Sequence, residues 1–147
     1  KLAFILRAAD DSSWPKNLGK DGDYVCHCGG WDYHLKVPGI QKFNDDYKSS
    51  YGSFPEIPAG VAYTCIQILA DALQRAGTLD KDKVRDAIAS TNTTTVMGPM
   101  KFKPNGRGDG KYLQVVSQWQ NGSDELVWPK DQGSAPLAYP IPPWNKR

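Results

Sequence analysis

The spacing of the apolar residues changes about two thirds of the way along the chain of 147 residues. Ile40, Phe43, Tyr47 and Tyr51 follow one another at intervals of three or four, the spacing of one helix face. After Met97, short segments of alternating apolar and polar residues are separated by turn residues, as in antiparallel strands. This order of patterns predicts a mixed α/β fold in which helices precede a small antiparallel unit.

Three helices are predicted in the middle of the chain. The first starts after Pro38 and ends at Gly52, because Gly52 suits a helix end and the prolines that follow prevent its continuation. The second covers "AGVAYTCIQILADALQRAG" and ends at Gly77. The third covers "KDKVRDAIASTN" with Asp80 as its N-cap. The residues predicted to face the core are Ala62, Cys65 or Ile66, Ile68, Leu69 and Leu73 in the second helix, and Val84, Ala87 and Ile88 in the third.

The remaining segments are predicted as strands, loops and turns. "KLAFIL" and "DYVCHCGGW" are strand-like, and the polar stretch between them is typical of a loop with one short helix. "GPMKFKPNG" and "GKYLQVVSQWQNG" follow the helices, and Asn121-Gly122 is expected to form a hairpin turn before "ELVW". The segment 129–147 holds five prolines and is expected to be irregular.

Composition and motifs argue against several functions. A net charge of +2 is too balanced to indicate a nucleic-acid partner, and no apolar run approaches the roughly 20 residues of a membrane span. On a strand, Cys26 and Cys28 would face one side and His27 the other, so the three side chains are not expected to bind a metal. Nucleophile-elbow, P-loop, zinc-protease and dinucleotide motifs are absent. We therefore expect no cofactor, no metal and no catalytic residues.

The tripeptide Arg107-Gly108-Asp109 is also found in cell-adhesion ligands. It lies within "KPNGRGDGK", whose glycines favour tight turns. We interpret it as part of a glycine-rich turn, and an adhesion module as a lesser alternative.

Several segments, taken in order, resemble one protein family. They are F-x3-Y-x3-Y-G-x2-P from Phe43 to Pro55, the helix ending in "ALQRAG", "DKDKVRDAI", "GPMKFKPNG" and "VVSQWQNG". Their order and spacing cover more than two thirds of the chain. The chain resembles the C-terminal part of a periplasmic substrate-binding protein of the branched-chain amino-acid (Leu/Ile/Val-type, type I) ABC-transporter class.

The resemblance implies an α/β fold of two lobes, each a parallel sheet with helices on both faces, which close on a ligand by hinge bending. It assigns the chain to only part of that fold, because full members are well over twice as long. We therefore expect a fragment whose helices have lost their sheet and which self-associates or exchanges elements between copies. The expected divisions are 1–37, the end of the second lobe and a hinge crossing; 38–96, the helical part of the first lobe; 97–128, the last crossing and the C-terminal hairpin of the second lobe; and 129–147, a proline-rich tail.

The resemblance also predicts ligand-binding residues, namely Arg7, Trp31, Tyr33, Pro58, Ala59 and Tyr63. Arg7 falls where amino-acid-binding members place an acidic residue near the ligand's ammonium group, so an arginine there would favour a carboxylate. Alternatively, Arg7 is a surface loop residue. Pro58 and Ala59 match a pocket wall whose small residues leave room for a bulkier ligand, whereas Tyr63 belongs either to the pocket or to the core.

The function implied is that of a non-enzymatic, periplasmic or otherwise extracytoplasmic solute-binding protein. It would capture an amino acid or a small organic or aromatic acid and deliver it to the membrane subunits of an ABC importer. A ligand-sensing receptor domain of the same fold is one alternative. An α/β hydrolase is another, against which the missing nucleophile motif argues.

Overall fold

A computed structural model describes residues 2–146, so Lys1 of the predicted first strand and Arg147 of the proline-rich segment lie outside the described residues. The strands are β1 (Ala3–Phe4), β2 (Val25–Gly29), β3 (Asn92–Thr95), β4 (Gly98–Phe102), β5 (Gly108–Gly110), β6 (Val115–Gln120) and β7 (Ser123–Trp128). The α-helices are α1 (Trp14–Leu18), α2 (Ile40–Tyr51), α3 (Ile57–Ala76) and α4 (Lys81–Ala89). Two short 3₁₀ helices span Gly19–Gly22 and Trp144–Lys146.

A mixed four-stranded sheet joins the two ends of the chain in the order β1-β2-β6-β7. β1 runs parallel to β2, and the crossover between them contains α1. β6 is antiparallel to both β2 and β7. The predicted hairpin is confirmed, because Asn121 and Gly122 have φ angles of 53° and 77° and connect the paired residues Gln120 and Ser123.

A second, three-stranded antiparallel sheet follows the helices in the order β3-β4-β5. β3 was not predicted, because "STN" was included in the third helix, which ends instead at Ala89. The prediction that Arg107-Gly108-Asp109 forms a turn is wrong for its last two residues. Gly108 and Asp109 belong to β5, with Asp109 opposite Lys101, and the turn lies before them at Gly106, where φ is 79°.

The predicted glycine ends of α2 and α3 and the predicted N-cap of α4 are confirmed. Gly52 and Gly77 end α2 and α3 with φ angles of 76° and 61°, a left-handed conformation that glycine adopts without strain. The side chain of Asp80 accepts a hydrogen bond of 3.1 Å from the backbone N–H of Lys83 and so caps α4.

The predicted inner face of α3 is confirmed at Ile68 but is wrong at most of its other positions. The buried residues of α3 are Gly60, Thr64, Ile68 and Ala72, which follow one another at intervals of four. Of the residues that the spacing favoured, Ala62, Cys65, Ile66 and Leu69 are exposed. A 20-residue helix with apolar residues on most of its surface offers two possible inner faces. Packing against the rest of the chain selects the face that carries Gly60, Thr64, Ile68 and Ala72.

The hydrophobic core lies between α2, the sheet strands and the connector that precedes α2. Its largest fully buried side chain is Trp31, and the other members are Leu35, Val37, Ile40, Phe43, Val96, Met97, Tyr112, Val115 and Leu126. The segment 129–146 is irregular as predicted apart from its short 3₁₀ turn. It lies against β6, where the side chain of the fully buried Gln118 bonds to the backbone N–H and C=O of Ala138 at 2.8 and 3.2 Å. None of the helices within residues 2–146 is long and apolar enough to cross a membrane.

Candidate ligand-binding cleft

A cleft of about 400 Å³ lies over one face of the four-stranded sheet. Side chains of β2, β6 and β7 form its floor, and the loop before α1 forms one side. Residues 53–56 between α2 and α3, together with Ile57 at the start of α3, form the other side. Because alternate residues of a strand share a face, His27 with Gly29 and Ser117 with Trp119 point into the same space. This volume lies within the range that encloses a small organic molecule.

Four aromatic side chains line the cleft: Trp31, Tyr33, Phe54 and Trp119. Trp31 is fixed by a hydrogen bond of 2.9 Å from Nε1 to the carbonyl of Val96. Trp119 is fixed in the same way by a bond of 2.7 Å to the carbonyl of Ala9. Tyr33 stacks on Phe54, with ring centroids 4.8 Å apart and planes 10° from parallel. The cleft therefore has a largely preformed apolar lining.

A buried histidine and a carboxylate meet on the cleft floor. His27 Nε2 lies 2.9 Å from Asp124 Oδ1, with the imidazole 4% and the carboxylate side chain 21% exposed. Since an ionised carboxylate can only accept, Nε2 of His27 donates this hydrogen bond. Burial raises the pKa of Asp124, and the hydrogen bond and charge of His27 oppose that rise only in part.

A second polar network surrounds Asp32 at the edge of the cleft. Asp32 Oδ2 accepts a hydrogen bond of 2.6 Å from Ser117 Oγ, and Oδ1 accepts from both the backbone N–H and Nδ1 of His34 at 2.8 and 2.9 Å. Burial lowers the pKa of His34, but the hydrogen bond and the charge of Asp32 outweigh it and raise that pKa above its ordinary value. Burial, together with the nearby carboxylates, raises the pKa of Tyr33 and keeps its hydroxyl neutral. This network holds the connector between β2 and α2 against β6.

The charged residues that line the cleft are predominantly acidic. Asp10, Asp32, Glu56 and Asp124 contribute carboxylates, and among the described lining residues there is no lysine or arginine. Clustered carboxylates in a partly enclosed site favour a positively charged group on a bound molecule.

The structure brings only two of the six predicted site residues into the cleft. Trp31 and Tyr33 line it. Arg7 lies in the loop after β1 with its side chain 78% exposed, where Nε is 3.6 Å from Asp10 Oδ2. Pro58 is exposed in the first turn of α3, Ala59 packs against the core, and Tyr63 is 44% exposed beside Phe43. None of these four lines the cleft, and a role for them in ligand binding stays a prediction.

Sequence reasoning did not identify His27, Asp32, Trp119 and Asp124 as site residues. Strand alternation did place His27 on the face opposite the two cysteines. Its partner Asp124 is 97 positions away, and only the pairing of β2, β6 and β7 brings the two together.

Comparisons with known proteins give one family. A family model described as periplasmic binding protein matches residues 2–123. A leucine binding protein from Thermotoga maritima is 26% identical, with a TM-score of 0.71 over 84% of this chain and 36% of that protein. A branched-chain amino acid transporter substrate binding protein from Streptococcus pneumoniae, solved with isoleucine, is 17% identical, with a TM-score of 0.71 over 86% of this chain and 37% of that protein. A solute binding protein of an ABC transporter from R. palustris, solved with benzoate, is 16% identical, with a TM-score of 0.66 over 82% and 32%.

These likenesses confirm the expected partial type I periplasmic-binding-protein fold. This chain spans 32 to 37% of the length of the three solved proteins, so the division of its segments between two lobes stays a prediction. The family and the structural neighbours are solute-binding proteins and not enzymes. With the match extending over residues 2–123, the chain belongs to the periplasmic binding protein family.

Proposed function

We propose that this protein is a solute-binding component of an ABC importer that captures an amino acid outside the cytoplasm. The single observation that carries the proposal is the cleft of about 400 Å³ in a chain of the periplasmic binding protein family. Family membership implies an extracytoplasmic location and membrane subunits as partners. The lining supports a binding role, because its polar groups hold one another in fixed positions.

The lining favours an amino acid with an apolar or aromatic side chain. The rings of Trp31, Tyr33, Phe54 and Trp119 offer apolar surface, while the carboxylates of the cleft attract an ammonium group. The leucine binding protein and the isoleucine complex among the structural neighbours support this ligand class.

A small organic or aromatic acid is the second candidate, and one observation favours it. Arg7 is three residues from the cleft-lining Asp10 and contacts its carboxylate. A loop movement that carried the guanidinium inward would supply a bidentate site for a carboxylate. The benzoate complex among the structural neighbours has a ligand of this kind.

A thermal-shift screen of amino acids against aromatic carboxylates tests these proposals. A ligand at 100 times its Kd stabilises the folded state by about 2.7 kcal/mol, which raises Tm by roughly 5–10 °C in a chain of this size. We expect leucine or phenylalanine to raise Tm and benzoate to leave it unchanged. A shift with benzoate that Arg7→Ala abolishes, and that the control Arg107→Ala keeps, would favour the acid instead. If no amino acid and no carboxylate raises Tm, the proposed binding function is wrong.

A ligand-sensing domain of a receptor would have the same fold and cleft. The two functions differ in the protein that recognises the ligand-bound state. Binding of ligand-loaded protein to importer membrane subunits in proteoliposomes supports the transport function, and the absence of that binding favours the sensor.

A further inference from the structure

We propose that Asp124, held in place by His27, binds the positively charged nitrogen of the ligand. This inference deepens the proposed function and rests on it. It assigns the charge-recognising residue to β7 and not to the loop after β1, where the resemblance placed it.

Asp124 has one carboxylate oxygen to offer. It lies at the start of β7, two residues beyond the turn at Asn121-Gly122. Oδ1 is engaged by His27, and Oδ2 has no hydrogen-bond partner within residues 2–146. The side chain is 21% exposed and lines the cleft, so the free oxygen is within reach of a ligand.

The other carboxylates of the cleft are engaged elsewhere. Both oxygens of Asp32 accept hydrogen bonds from Ser117 and His34. Asp10 lies beside the Arg7 guanidinium. Glu56 is exposed and receives a long hydrogen bond of 3.4 Å from the backbone N–H of Ser12. Asp124 is therefore the enclosed carboxylate with both a rigid support and an unused acceptor.

His27 is a positioning residue in this arrangement. It is 3% exposed, its ring centroid lies 6.4 Å from that of Trp119, and Nδ1 has no hydrogen-bond partner among the described residues. The imidazole thus makes one directional contact, to Asp124, and that contact fixes the direction of the carboxylate. Burial raises the pKa of Asp124, and the positive charge of a bound ammonium group would favour its ionised form.

The geometry explains how an amine can be recognised despite Arg7. At that position amino-acid-binding relatives are expected to have an acidic residue, and here the arginine side chain is 78% exposed and does not line the cleft. The acidic group comes instead from a different strand on the same cleft. The ligand class is a primary amine that carries an apolar or aromatic group. This part of the site does not require the ligand to have a carboxylate.

Calorimetric titration with three probes of one shape tests the inference. The probes are phenylalanine, phenethylamine, which lacks the carboxylate, and 3-phenylpropionate, which lacks the amine. We expect the two amines to bind and 3-phenylpropionate to fail. Asp124→Asn keeps an acceptor for His27 but loses the charge, and should weaken amine binding about 10-fold or more. The matched control is Glu125→Gln on the same strand, whose carboxylate bonds to Ser134 Oγ and does not line the cleft.

Two further variants separate positioning from packing at His27. His27→Leu fills the space without donating a hydrogen bond, and His27→Gln can still donate one. We expect the leucine variant to lose amine affinity to about the extent of Asp124→Asn and the glutamine variant to recover part of it. Equal amine affinity in wild type and His27→Leu would overturn the positioning role.

The outcomes distinguish this inference from the proposed function. Binding of 3-phenylpropionate, or amine binding that Asp124→Asn leaves unchanged, overturns the assignment of Asp124 while solute binding itself stands. Failure of all three probes, together with the amino acids and benzoate of the screen above, overturns the proposed function as well. Circular dichroism of each variant verifies that it is folded.

Discussion

Gly60 lies in α3 against the indole ring of Trp31, and replacing it with alanine is expected to destabilise the protein. A Cβ at Gly60 would lie 2.1, 2.4 and 2.6 Å from three ring carbons of Trp31. Favourable carbon contacts lie at about 3.5–4.0 Å, so helix and ring must separate by more than an ångström. Trp31 is only 1% exposed and is hydrogen-bonded to the Val96 carbonyl, so a shift of the ring disturbs both its packing and that bond.

The magnitude follows from two opposing effects. Alanine in place of glycine favours a helix by about 1 kcal/mol. Overpacking a dense core costs about 1–3 kcal/mol, and loss of the indole hydrogen bond adds about 1 kcal/mol. The expected net loss of unfolding free energy is about 2 kcal/mol, which lowers the urea midpoint by about 1 M. Because Trp31 also lines the cleft, Gly60→Ala should weaken ligand binding as well.

Urea unfolding followed by tryptophan fluorescence measures this effect. Trp31→Phe provides the control, because a smaller ring leaves room for the added methyl group and should reduce the cost of Gly60→Ala in the double variant. A Gly60→Ala protein as stable as wild type, or more stable, would show that helix propensity dominates and would refute the packing argument.

Two other predictions concern the exposed face of α3 and the polar network. We propose that copies of the chain associate through the exposed face of α3. Ile66 is 63% exposed, so Ile66→Lys should shift sedimentation toward the monomer and leave the free energy of unfolding unchanged. Ile68 is 7% exposed, so Ile68→Lys should lower the free energy of unfolding by about 3 kcal/mol or more. A wild type that is already monomeric contradicts this. The folded-state pKa of His34 is raised above its ordinary value of 6.5, so the stability from its bond to Asp32 is fully present below that value and is lost as pH rises through the folded pKa. Wild type should therefore exceed His34→Gln in stability by more at about pH 5 than at about pH 8, and an equal difference at both would contradict the protonated pair.

Local sequence rules predicted the features that neighbouring residues control. Gly52 and Gly77 end their helices because a left-handed residue there satisfies the last carbonyls. Asp80 caps α4 because its carboxylate reaches an amide three residues on. Asn121-Gly122 forms the hairpin turn because both residues tolerate positive φ. Each rule acts within a few residues, so no knowledge of the rest of the fold was needed.

The same rules gave errors where contacts between distant parts of the chain decide the local structure. The spacing in α3 fits two inner faces, and contact with the core selected the face of Gly60 and Thr64 over that of Ile66. β3 was not predicted because its four polar residues, "NTTT", show no alternation of apolar and polar positions. This strand forms by pairing with β4.

The sequence by itself determined the fold class, the order of the helices, the ends of α2 and α3, the hairpin and the resemblance to one family, since these depend on local spacing and on ordered motifs. The tertiary structure decided the binding site. His27 and Asp124 are separated by 97 positions and share a hydrogen bond only because β6 pairs with both β2 and β7. Arg7 remains outside the cleft because its loop directs the side chain toward solvent. The charge of a side chain follows from the sequence, whereas the direction in which that side chain points depends on the packing of distant strands.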